Sequence, residues 1–446
     1  TMLNRITNIN VDKWIRDFSG SNPVMINGVY RTILTRCSSQ LFSGNPNAMA
    51  YDYLHQELLK FGYQEGTTLT DHTYSAPIMN TPPQDLLSIQ TGEEDFVRIN
   101  EQDVAPEEKA TLKNKIVTIP GHGLNADKIV LMTAHMDSIS TSPTSLAPGA
   151  EDNASGIAAL LEAARWLRFY KYDYTIKLIF FTGEEQGLYG SEEYVNDHLS
   201  EMPNIVGVVN LDMFGYDDDQ DWCIEMHVGT MSSSNMVGTC FTDVNTNYGL
   251  NLTYDYLTDR AIRASDHASF WDAGVGAIEI LENYQLDPGY GCEDRRDMNP
   301  HYHKTTDTID KMYLPATVAT VKAGVGTVAS LAKPLGSCFG GDPVVTIKAQ
   351  TDSILLTWPE LPGADVYNIY RGTSTCLGTM TQIAQISTNS FVDTDILFDR
   401  NYFYKVEAAE TGGVCYSQLS GCAVAKVPTP PEPAILIYIP LVTVGE

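Results

Sequence analysis

The sequence predicts an α/β domain built on a mostly parallel, mixed sheet with helices on both faces, followed by an all-β, immunoglobulin-like sandwich. Three observations support this fold class. From Lys115 onward, short strands that are apolar on both faces alternate with helical segments. After about residue 340 the helical period disappears, and short alternating strands separated by turn residues follow. With 446 residues, the chain exceeds the length of a typical single domain.

The predicted elements of the α/β domain follow a clear order. A helix is expected over the segment ending in YDYLHQELLKFG, where Gly62 is placed to end it. Residues 65–110 are polar and rich in Pro, Thr and acidic residues, so we expect irregular connections around one or two strands. Then follow the strands KIVTIP and KIVLMTAH, the helix IAALLEAARWLRFY, and the strands TIKLIFFT and IVGVVNLDM. This alternation is typical of a sheet that is buried on both sides.

Changes in composition mark the domain boundaries. We predict an α/β domain over residues 1–335 and a β-sandwich over residues 342–427, with the Gly- and Pro-rich linker LAKPLGSCFGGDP at the boundary. Residues 428–446 begin as a Pro-rich spacer and end in an apolar run that is too short to span a membrane. We interpret this tail either as an export or surface-sorting segment or as a disordered or sandwich-packed end.

The predicted sandwich resembles a fibronectin type III module. Trp358 lies where the core Trp of that module's second strand sits. Tyr402, Tyr404 and Val406 match the module's YxYxV strand with its tyrosine corner. The resemblance implies a domain that binds a polymer or a cell surface, or one that only spaces the first domain, and its residues do not decide between these roles.

The charge of the chain excludes two classes of partner. The chain has 28 Lys and Arg against 56 Asp and Glu, a formal net charge of -28. Such an acidic surface repels nucleic acid and anionic membranes. No apolar run reaches the roughly 18–20 residues that a membrane span needs. We therefore expect neither a nucleic-acid partner nor a membrane span, and we expect a monomer.

The cysteines and the first residues bear on localisation. None of the eight cysteines forms a CxxC pair, which argues against a zinc ribbon or a thioredoxin-like motif. Their even number fits disulfides formed in an oxidising compartment, and we expect Cys415 to pair with Cys422. The chain begins TMLNRITNIN, so a signal peptide was removed or never present. We expect a secreted protein.

Acidic residues and histidines recur where the predicted strands end. In TAHMDS, His135 and Asp137 point to the same face because strand side chains alternate. A hydrogen-bonded structural pair explains these two residues equally well. In PGAEDNASG, Asp152 precedes a helix, where the commonest role of an Asp is an N-cap. A chemical role for these residues therefore needs further partners.

The following segments supply such partners. Glu184 and Glu185 follow the strand KLIFFT, and two adjacent carboxylates raise each other's pKa unless a cation neutralises one. Asp212 ends another buried strand, where an unpartnered carboxylate is costly. In NPHYHKTTDTID, either His301 or His303 is expected to complete the set.

Together these residues predict a two-metal hydrolytic site. Zinc binds imidazole nitrogen and carboxylate oxygen, and a catalytic site keeps a position open for water. A carboxylate shared by two ions, with one His and one acid for each, activates water and stabilises the oxyanion of a hydrolysed amide. We expect Glu184 to pass the proton of the water to the leaving nitrogen. Glu192 and Glu193 lie in a predicted exposed helix and receive no chemical role.

An ordered set of segments resembles the zinc-dependent M28 aminopeptidases, especially the small secreted bacterial leucyl aminopeptidases. The segments are AHMDS, PGAEDNASGIAALLEAAR, FTGEEQGLYGS, NLDMFGY, SDHASFWDAGVGAIEI and NPHYHKTTDTID. The resemblance spans roughly residues 1–335. It implies two zinc ions per chain and hydrolysis of the N-terminal peptide bond of peptides or proteins, with a preference for apolar N-terminal residues.

The resemblance also implies a role for each site residue. The implied roles are Asp152 as the bridge between the zinc ions, His135 and Asp212 for one zinc, Glu185 and His303 for the other, Glu184 as the general base, and Asp137 as the acid that orients His135.

The sequence departs from this family around the predicted pocket. The stretch DRAIRA lacks the short disulfide loop that the bacterial leucyl enzymes carry before SDHA, so we expect a different pocket wall. Arg260 and Arg263 either favour acidic or longer peptides or are ordinary surface residues. His267 matches a family position and is expected to be structural. Asn153 replaces an Asp beside the bridging residue, which should alter local charge but not ligation.

Three other readings remain open. A two-zinc carboxypeptidase or deacylase of the M20 type shares the HxD and Glu-Glu pattern, although the interval from Asp212 to His303 is short for its dimerisation domain. A glutaminyl cyclase uses the same fold with one zinc. A non-catalytic binding protein on a peptidase scaffold usually loses ligands or the base, whereas all six key positions are present here.

Overall fold

The computed structural model describes residues 2–38, 46–77, 109–284, 291–292, 297–413 and 415–430. The chain divides into two compact units, Thr1–Ser337 with Gly412–Cys415, and Cys338–Thr411 with Tyr416–Glu446. Most of the predicted tail over 428–446, and most of the segment 65–110, lie outside the described residues.

The described part of the first unit contains seven α-helices. They are α1 (Asn8–Phe18), α2 (Pro46–Lys60), α3 (Ala154–Leu167), α4 (Tyr189–Asp197), α5 (Ser232–Tyr248), α6 (His267–Asp272) and α7 (Leu314–Leu331). Helix α2 stops two residues before Gly62, whose positive φ of 94° suits the left-handed turn that ends a helix. The predicted helix stop is therefore found at the expected position.

The strands of the first unit form one large sheet and two small ones. The strands are β1 (Val24–Ile26), β2 (Val29–Arg31), β3 (Leu69–Pro77), β4 (Lys109–Ile119), β5 (Ile129–His135), β6 (Tyr170–Tyr172), β7 (Thr175–Phe181), β8 (Ile205–Leu211), β9 (Cys223–His227), β10 (Thr253–Leu257), β11 (Ala277–Glu282) and β12 (Pro334–Ser337). The large sheet has the order β10-β9-β11-β8-β5-β7-β4-β3. Its four middle strands, β11, β8, β5 and β7, are parallel neighbours, while β4 and β3 are antiparallel. This confirms the predicted mixed, mostly parallel sheet.

Helices cover both faces of the large sheet. Alternate residues of β5 point to opposite faces. Val130 and Met132 join the core that contains α1, α3 and α7, whereas Ile129 and Leu131 join a second core with residues of α4 and α6. All seven residues of β5 are buried. The apolar character of both strand faces in the sequence is explained by these two cores.

Helix α7 belongs to the first of these cores. Within the described residues, it is the one helix whose length and composition would allow it to cross a membrane, and 67% of it is buried. It packs against α3, α5 and β8.

Helix α3 starts unusually close to the sheet. A Cβ on Gly156, in its first turn, would lie 2.6 Å from the carbonyl oxygen of Leu211 and 2.7 Å from Cβ of Ala134. Only a glycine therefore allows α3 to begin this near to the ends of β5 and β8. The loop that precedes α3, which contains Asp152, is thereby held against the carboxyl edge of the sheet.

The second unit is all-β in its described residues. Its strands are β13 (Thr346–Ala349), β14 (Ile354–Thr357), β15 (Val366–Gly372), β16 (Thr381–Ile386), β17 (Ser390–Asp393), β18 (Asn401–Ala409) and β19 (Ala423–Lys426). They form a three-stranded sheet, β13-β14-β17, and a four-stranded sheet, β16-β15-β18-β19, and all pairings are antiparallel. Trp358 is buried with its ring 5.2 Å from that of Tyr367. The predicted all-β character is confirmed.

Two disulfides are defined by their partners. Cys223 pairs with Cys292 in the first unit, and Cys376 pairs with Cys422 in the second. The predicted pairing of Cys415 with Cys422 is therefore wrong. Proximity in the chain favoured the former pair, but the antiparallel sheet brings Cys376, 46 residues away, to Cys422.

Candidate metal centre

The candidate site lies at the carboxyl ends of three neighbouring parallel strands. His135 is the last residue of β5, Asp212 directly follows β8, and Glu184 and Glu185 follow β7 after a two-residue turn. Because β8, β5 and β7 are adjacent in the sheet, their ends bring these side chains to one place. Open α/β sheets commonly bind ligands at this edge.

Asp152 lies between two histidines. Its Oδ1 is 3.2 Å from Nε2 of His135, and its Oδ2 is 3.2 Å from Nε2 of His303. A second acid joins each histidine. Oδ1 of Asp212 is 3.1 Å from Nε2 of His135, and Oε2 of Glu185 is 3.1 Å from Nε2 of His303. The result is two half-sites, each with one imidazole nitrogen and one acid of its own, that share a single carboxylate.

The second carboxylate oxygens of Asp212 and Glu185 accept hydrogen bonds from the protein. Ser265 donates its hydroxyl to Oδ2 of Asp212 at 2.7 Å, and the backbone N–H of Ile139 donates to Oε1 of Glu185 at 3.0 Å. Each of these acids therefore keeps one oxygen anchored and directs the other towards a histidine. Anchoring of this kind fixes the orientation of a metal ligand.

Glu184 and Asp137 lie beside the half-site of His135. Oε2 of Glu184 is 3.9 Å from Nε2 of His135, farther than the oxygens of Asp152 and Asp212. On the other side of the ring, Nδ1 of His135 is 3.2 Å from the backbone oxygen of Asp137 and 3.7 Å from its carboxylate. The carboxylate of Asp137 also accepts the backbone N–H of Glu184 at 3.4 Å. Asp137 thus contacts both the histidine and the residue predicted to be the base.

The cluster is buried and strongly charged. His135 exposes 1% of its surface and His303 8%. Burial lowers the pKa of an imidazole, but the carboxylates of Asp212 and Glu184 raise the pKa of His135 well above its usual value. Burial and the neighbouring Asp152 raise the pKa of Glu185 to about 7. The carboxylates therefore stabilise positive charge at this position, which is the property a cation site needs.

The helix cap is formed by Asn153 rather than by Asp152. The side chain of Asn153 accepts the backbone N–H of Gly156 at 2.8 Å and donates to the carbonyl oxygen of Leu211 at 2.9 Å. The capping role that the sequence left open for Asp152 therefore falls to its neighbour. Both carboxylate oxygens of Asp152 are left facing the histidines.

The other predicted residues around the site have separate roles. His301 contacts the hydroxyl of Thr306 at 2.8 Å and takes no part in the cluster, whereas His303 does. His267 is buried with its Nε2 3.0 Å from the backbone oxygen of Ile262. Arg263 is exposed and pairs with Asp272.

An apolar wall stands next to the half-site of His303. The ring of Tyr302 stacks on the ring of His303 with centroids 3.7 Å apart. Tyr302 packs with the buried residues Met213, Ile262 and Leu281. Ile262 belongs to the stretch DRAIRA, in which a changed pocket wall was predicted. This wall offers an apolar surface beside the cluster.

Arg36 supports the site and was missed in the sequence. It is fully buried, and its guanidinium donates to four backbone oxygens, those of Phe18, Met136, Pro148 and Gly149. Burial lowers its pKa to about 10, against the opposing effect of Asp152 and other acids. Arg36 thus joins the loop after β5 to the turn that precedes Asp152. No local pattern in TILTRCSS signals this role, because all four contacts are distant in sequence.

Glu151 is a second supporting residue that the sequence did not reveal. Its carboxylate accepts the backbone N–H groups of Gly215 and Tyr216 at 2.9 and 2.6 Å and also contacts the side-chain amide of Asn299. It therefore links the loop of Asp152, the loop after Asp212 and the segment that leads to His303. Its position next to Asp152 in PGAEDNASG was the available signal.

Comparison with known proteins gives one family and several relatives. The model described as "Peptidase family M28" matches residues 114–328, which include every predicted site residue. Aminopeptidase YwaD of Bacillus subtilis (strain 168) is 35% identical over 185 residues, covering 41% of this chain and 36% of that protein. The chain thus spans about a third of the length of this relative.

Solved structures share the fold at low identity. BSAP, a zinc aminopeptidase from Bacillus subtilis, superposes with a TM-score of 0.54 at 18% identity, covering 74% of this chain and 96% of that one. A glutaminyl cyclase from an Acidobacteriales bacterium gives 0.51 at 17% identity, covering 74% and 95%. At these identities the likeness concerns the fold alone.

Proposed function

We propose that the protein is a two-zinc aminopeptidase of peptidase family M28, whose model matches residues 114–328. It removes the N-terminal residue of peptides by hydrolysis. The observation that carries the proposal is the position of Asp152, whose two oxygens each lie 3.2 Å from the Nε2 atom of a different histidine. A carboxylate in this position can bridge two ions.

The donor set fits zinc. Each half-site offers one imidazole nitrogen and two carboxylate oxygens, which are the ligands that zinc takes in catalytic sites that keep one position for water. Asp152 would be shared, His135 and Asp212 would hold one ion, and Glu185 and His303 the other. When bound, the zinc ions supply Lewis-acid activation of water and of the substrate carbonyl. BSAP, a zinc aminopeptidase, has the same fold.

Glu184 is the proposed general base. Its carboxylate is buried in the cluster but lies farther from Nε2 of His135 than the oxygens of Asp152 and Asp212 do. It takes a proton from the attacking water and delivers it to the leaving nitrogen. Asp137 is proposed to orient His135 and, through its hydrogen bond from the backbone of Glu184, the base as well.

The charge of the site favours a substrate with a free amine. The cluster combines five carboxylates, from Asp152, Asp212, Glu184, Glu185 and Asp137, against the four positive charges of two zinc ions. The occupied site would therefore stay negative and would favour an ammonium group over a terminal carboxylate. Arg36 is buried nearby, but its guanidinium N–H groups donate to four backbone oxygens. They are therefore already engaged within the protein and do not serve a substrate carboxylate. This arrangement argues against the carboxypeptidase alternative.

The interval between Asp212 and His303 also argues against that alternative. Its described part forms β9, α5, β10, α6 and β11, which belong to the α/β unit itself. No separate inserted domain occurs among the described residues of this interval.

We extend the proposal to substrate preference, localisation and the second unit. The apolar wall of Met213, Ile262, Leu281 and Tyr302 supports a preference for apolar N-terminal residues.

The two defined disulfides support secretion, because such bonds persist in oxidising compartments. The second unit is proposed to be a fibronectin type III-like module, since Tyr402 accepts the backbone N–H of Leu397 at 2.9 Å in the manner of a tyrosine corner.

A glutaminyl cyclase is the second candidate, since one of the solved structures that share the fold is a glutaminyl cyclase from an Acidobacteriales bacterium. Zinc content and substrate choice separate the two. We expect two zinc ions per chain and release of p-nitroaniline from leucine p-nitroanilide, with no turnover of an N-acetylated analogue. One zinc per chain together with cyclisation of an N-terminal glutamine would favour the second candidate. Cleavage of the N-blocked substrate would contradict the aminopeptidase proposal.

A further inference from the structure

Asp307 is a buried acid that belongs to neither half-site. It lies four residues after His303, in the segment NPHYHKTTDTID, and it exposes 2% of its surface. Its Oδ1 accepts the backbone N–H of Glu151 at 3.1 Å, and its Oδ2 accepts the backbone N–H of Asp152 at 3.2 Å. Both oxygens of Asp307 therefore contact the loop that carries the bridging residue.

The turn that leads to Asp152 is held from two sides. The carbonyl oxygens of Pro148 and Gly149 accept hydrogen bonds from the guanidinium of Arg36. The N–H of Ala150 donates to the backbone oxygen of Asp307 at 3.2 Å, and the next two N–H groups donate to its carboxylate. The turn is buried, so its backbone groups need partners within the protein. Arg36 satisfies its acceptors, and Asp307 satisfies its donors.

The hydrogen bonds of Asp307 fit an ionised carboxylate. Both oxygens act as acceptors, which is what an ionised carboxylate offers. Burial raises the pKa of this carboxyl, as do the charges of Glu151 and Asp152, and the two backbone N–H groups oppose this rise. Burial lowers the pKa of Arg36, and the charges of Asp152 and Asp307 oppose that effect. Arg36 and Asp307 therefore support each other's charge across one turn.

Asp307 and His303 contact Asp152 from the same short segment. Asp307 accepts the backbone N–H of Asp152, while Nε2 of His303 lies 3.2 Å from its Oδ2. The N–H of Asp307 donates to the carbonyl oxygen of Lys304 at 3.1 Å, which closes the turn between the two residues. The backbone and the carboxylate of Asp152 are thus both placed by residues 303–307. Movement of this backbone would carry the two oxygens of Asp152 away from the histidines.

We propose that Asp307 is a positioning residue, which holds the loop of Asp152 so that its carboxylate can bridge two metal ions. This inference rests on the proposed two-zinc function. Asp307 orders the loop before metal binds, so that the binding of zinc does not have to order it. Partners that orient a metal ligand in this way typically contribute about 10–100-fold to metal affinity.

Chelator competition on the full chain tests this role. Asp307→Asn keeps the size of the side chain, but one acceptor becomes an NH₂ donor that faces a backbone N–H. We expect the affinity for zinc to fall by about tenfold or more, and the visible absorption of the cobalt-substituted chain to change with the geometry of its ligands. The control is Asp310→Asn, which removes the same charge at a nearby exposed position. It should bind zinc within about twofold of the parent chain.

Hydrogen exchange in the parent chain tests the same contacts without a substitution, and it decides the question even if Asp307→Asn does not fold. In the zinc-free full chain, the N–H groups of Glu151 and Asp152 should stay protected, because Asp307 binds them in the absence of metal. Unchanged zinc affinity and cobalt absorption in Asp307→Asn, or free exchange of these two N–H groups, would overturn the proposal. A parent chain that bound no zinc would instead contradict the aminopeptidase proposal, and the exchange measurement would still test the contacts of Asp307.

Discussion

The α/β unit buries two groups of histidines and carboxylates, and they are built differently. The candidate metal centre gathers side chains from four separate loops at the carboxyl edge of the sheet. The second group consists of Glu225 and His227 on β9, Glu279 on β11 and His267 at the start of α6. In it, His227 Nε2 lies 3.0 Å from Glu225, and His267 Nδ1 lies 3.4 Å from Glu279.

The two groups differ in charge. In the metal centre, burial opposes protonation, but Glu185 and Asp152 raise the pKa of His303 to about 10. In the second group, burial lowers the pKa of His267 to about 3 and raises that of Glu279 well above its usual value. His267 is therefore neutral near pH 7, and burial favours the neutral form of Glu279 as well, so this pair is poorly suited to attract a cation. The comparison teaches that a buried pair of His and acid predicts a metal site only where several carboxylates lie close to the Nε2 atom of the histidine.

The largest expected effect comes from the shared carboxylate. Asp152→Asn keeps the shape of the side chain but removes its charge from both half-sites. We expect zinc content to fall from two to one or none per chain, and kcat/KM on leucine p-nitroanilide to fall by about 10³ or more. Metal analysis and steady-state kinetics measure both.

Glu279→Gln in the second group is the matched control for this change. Because burial favours the neutral form of Glu279, its replacement by an uncharged amide should leave both zinc ions bound. If the two variants lost equal amounts of zinc, the distinction between the two groups would be wrong.

The second prediction distinguishes a residue that transfers a proton from the residues that bind the metal. Glu184→Gln should lower kcat by about 10²–10⁴ while two zinc ions remain bound, because the amide cannot accept the proton of the water. The control is Glu192→Gln on α4, which should leave kcat unchanged. Near-full turnover in the Glu184 variant would contradict its role as the base.

A smaller effect should appear in the pH dependence of stability. The pKa of His267 is about 3 in the folded protein and about 6.5 when unfolded, so below pH 6.5 the unfolded chain binds a proton that the folded chain does not. Its contribution to stability is thus complete above pH 6.5 and is lost as pH falls, by up to about 1.4 kcal/mol per pH unit.

His267→Gln should flatten this dependence between about pH 6 and 4.5. Urea unfolding of both proteins with EDTA present removes the contribution of zinc from the comparison. Parallel curves would show that His267 is not neutral in the folded state.

The smallest effect concerns the helix cap beside the bridging residue. Asn153→Ala removes the acceptor for the N–H of Gly156 and the bond to Leu211, and it should cost about 1–2 kcal/mol of unfolding free energy. Asn153→Ser keeps a hydroxyl acceptor without adding a charge beside the carboxylates, and it should lose less. Chemical denaturation of the two variants compares them, and equal losses would argue against a capping role.

The sequence predicts the sheet and the clustered site residues for one physical reason. Parallel strands buried on both faces are nearly continuous apolar runs, so the polar residues that end them stand out. His135, Asp212 and the Glu184–Glu185 pair are all recognised in this way. The pattern could not show which neighbours would supply supporting contacts. The partners of Arg36 and the pairing of Cys376 with Cys422 arise from residues far apart in the chain.

Sequence reasoning also could not separate the two buried groups in advance. Glu225 and His227 alternate on β9 just as His135 and Asp137 do at the end of β5. The difference lies in position along the strand, because β9 carries its pair within the sheet, while β5 presents His135 at the edge where other loops meet. The nine-residue strand β3 lies in the polar segment 65–110, where one or two strands were expected, but its bounds could not be predicted because it pairs with β4 at the margin of the sheet.

The four carbonyl contacts of Arg36 bear on attempts to shorten the protein. Arg36 and helix α1, whose Trp14 donates to the buried Glu162 of α3 at 2.9 Å, both precede the segment that matches the peptidase family. A minimal fragment cloned from residue 114 would lose the guanidinium that fastens the loops on either side of Asp152. Such a fragment should express as an inactive or insoluble product, so the design of a compact biocatalyst has to begin upstream of α1.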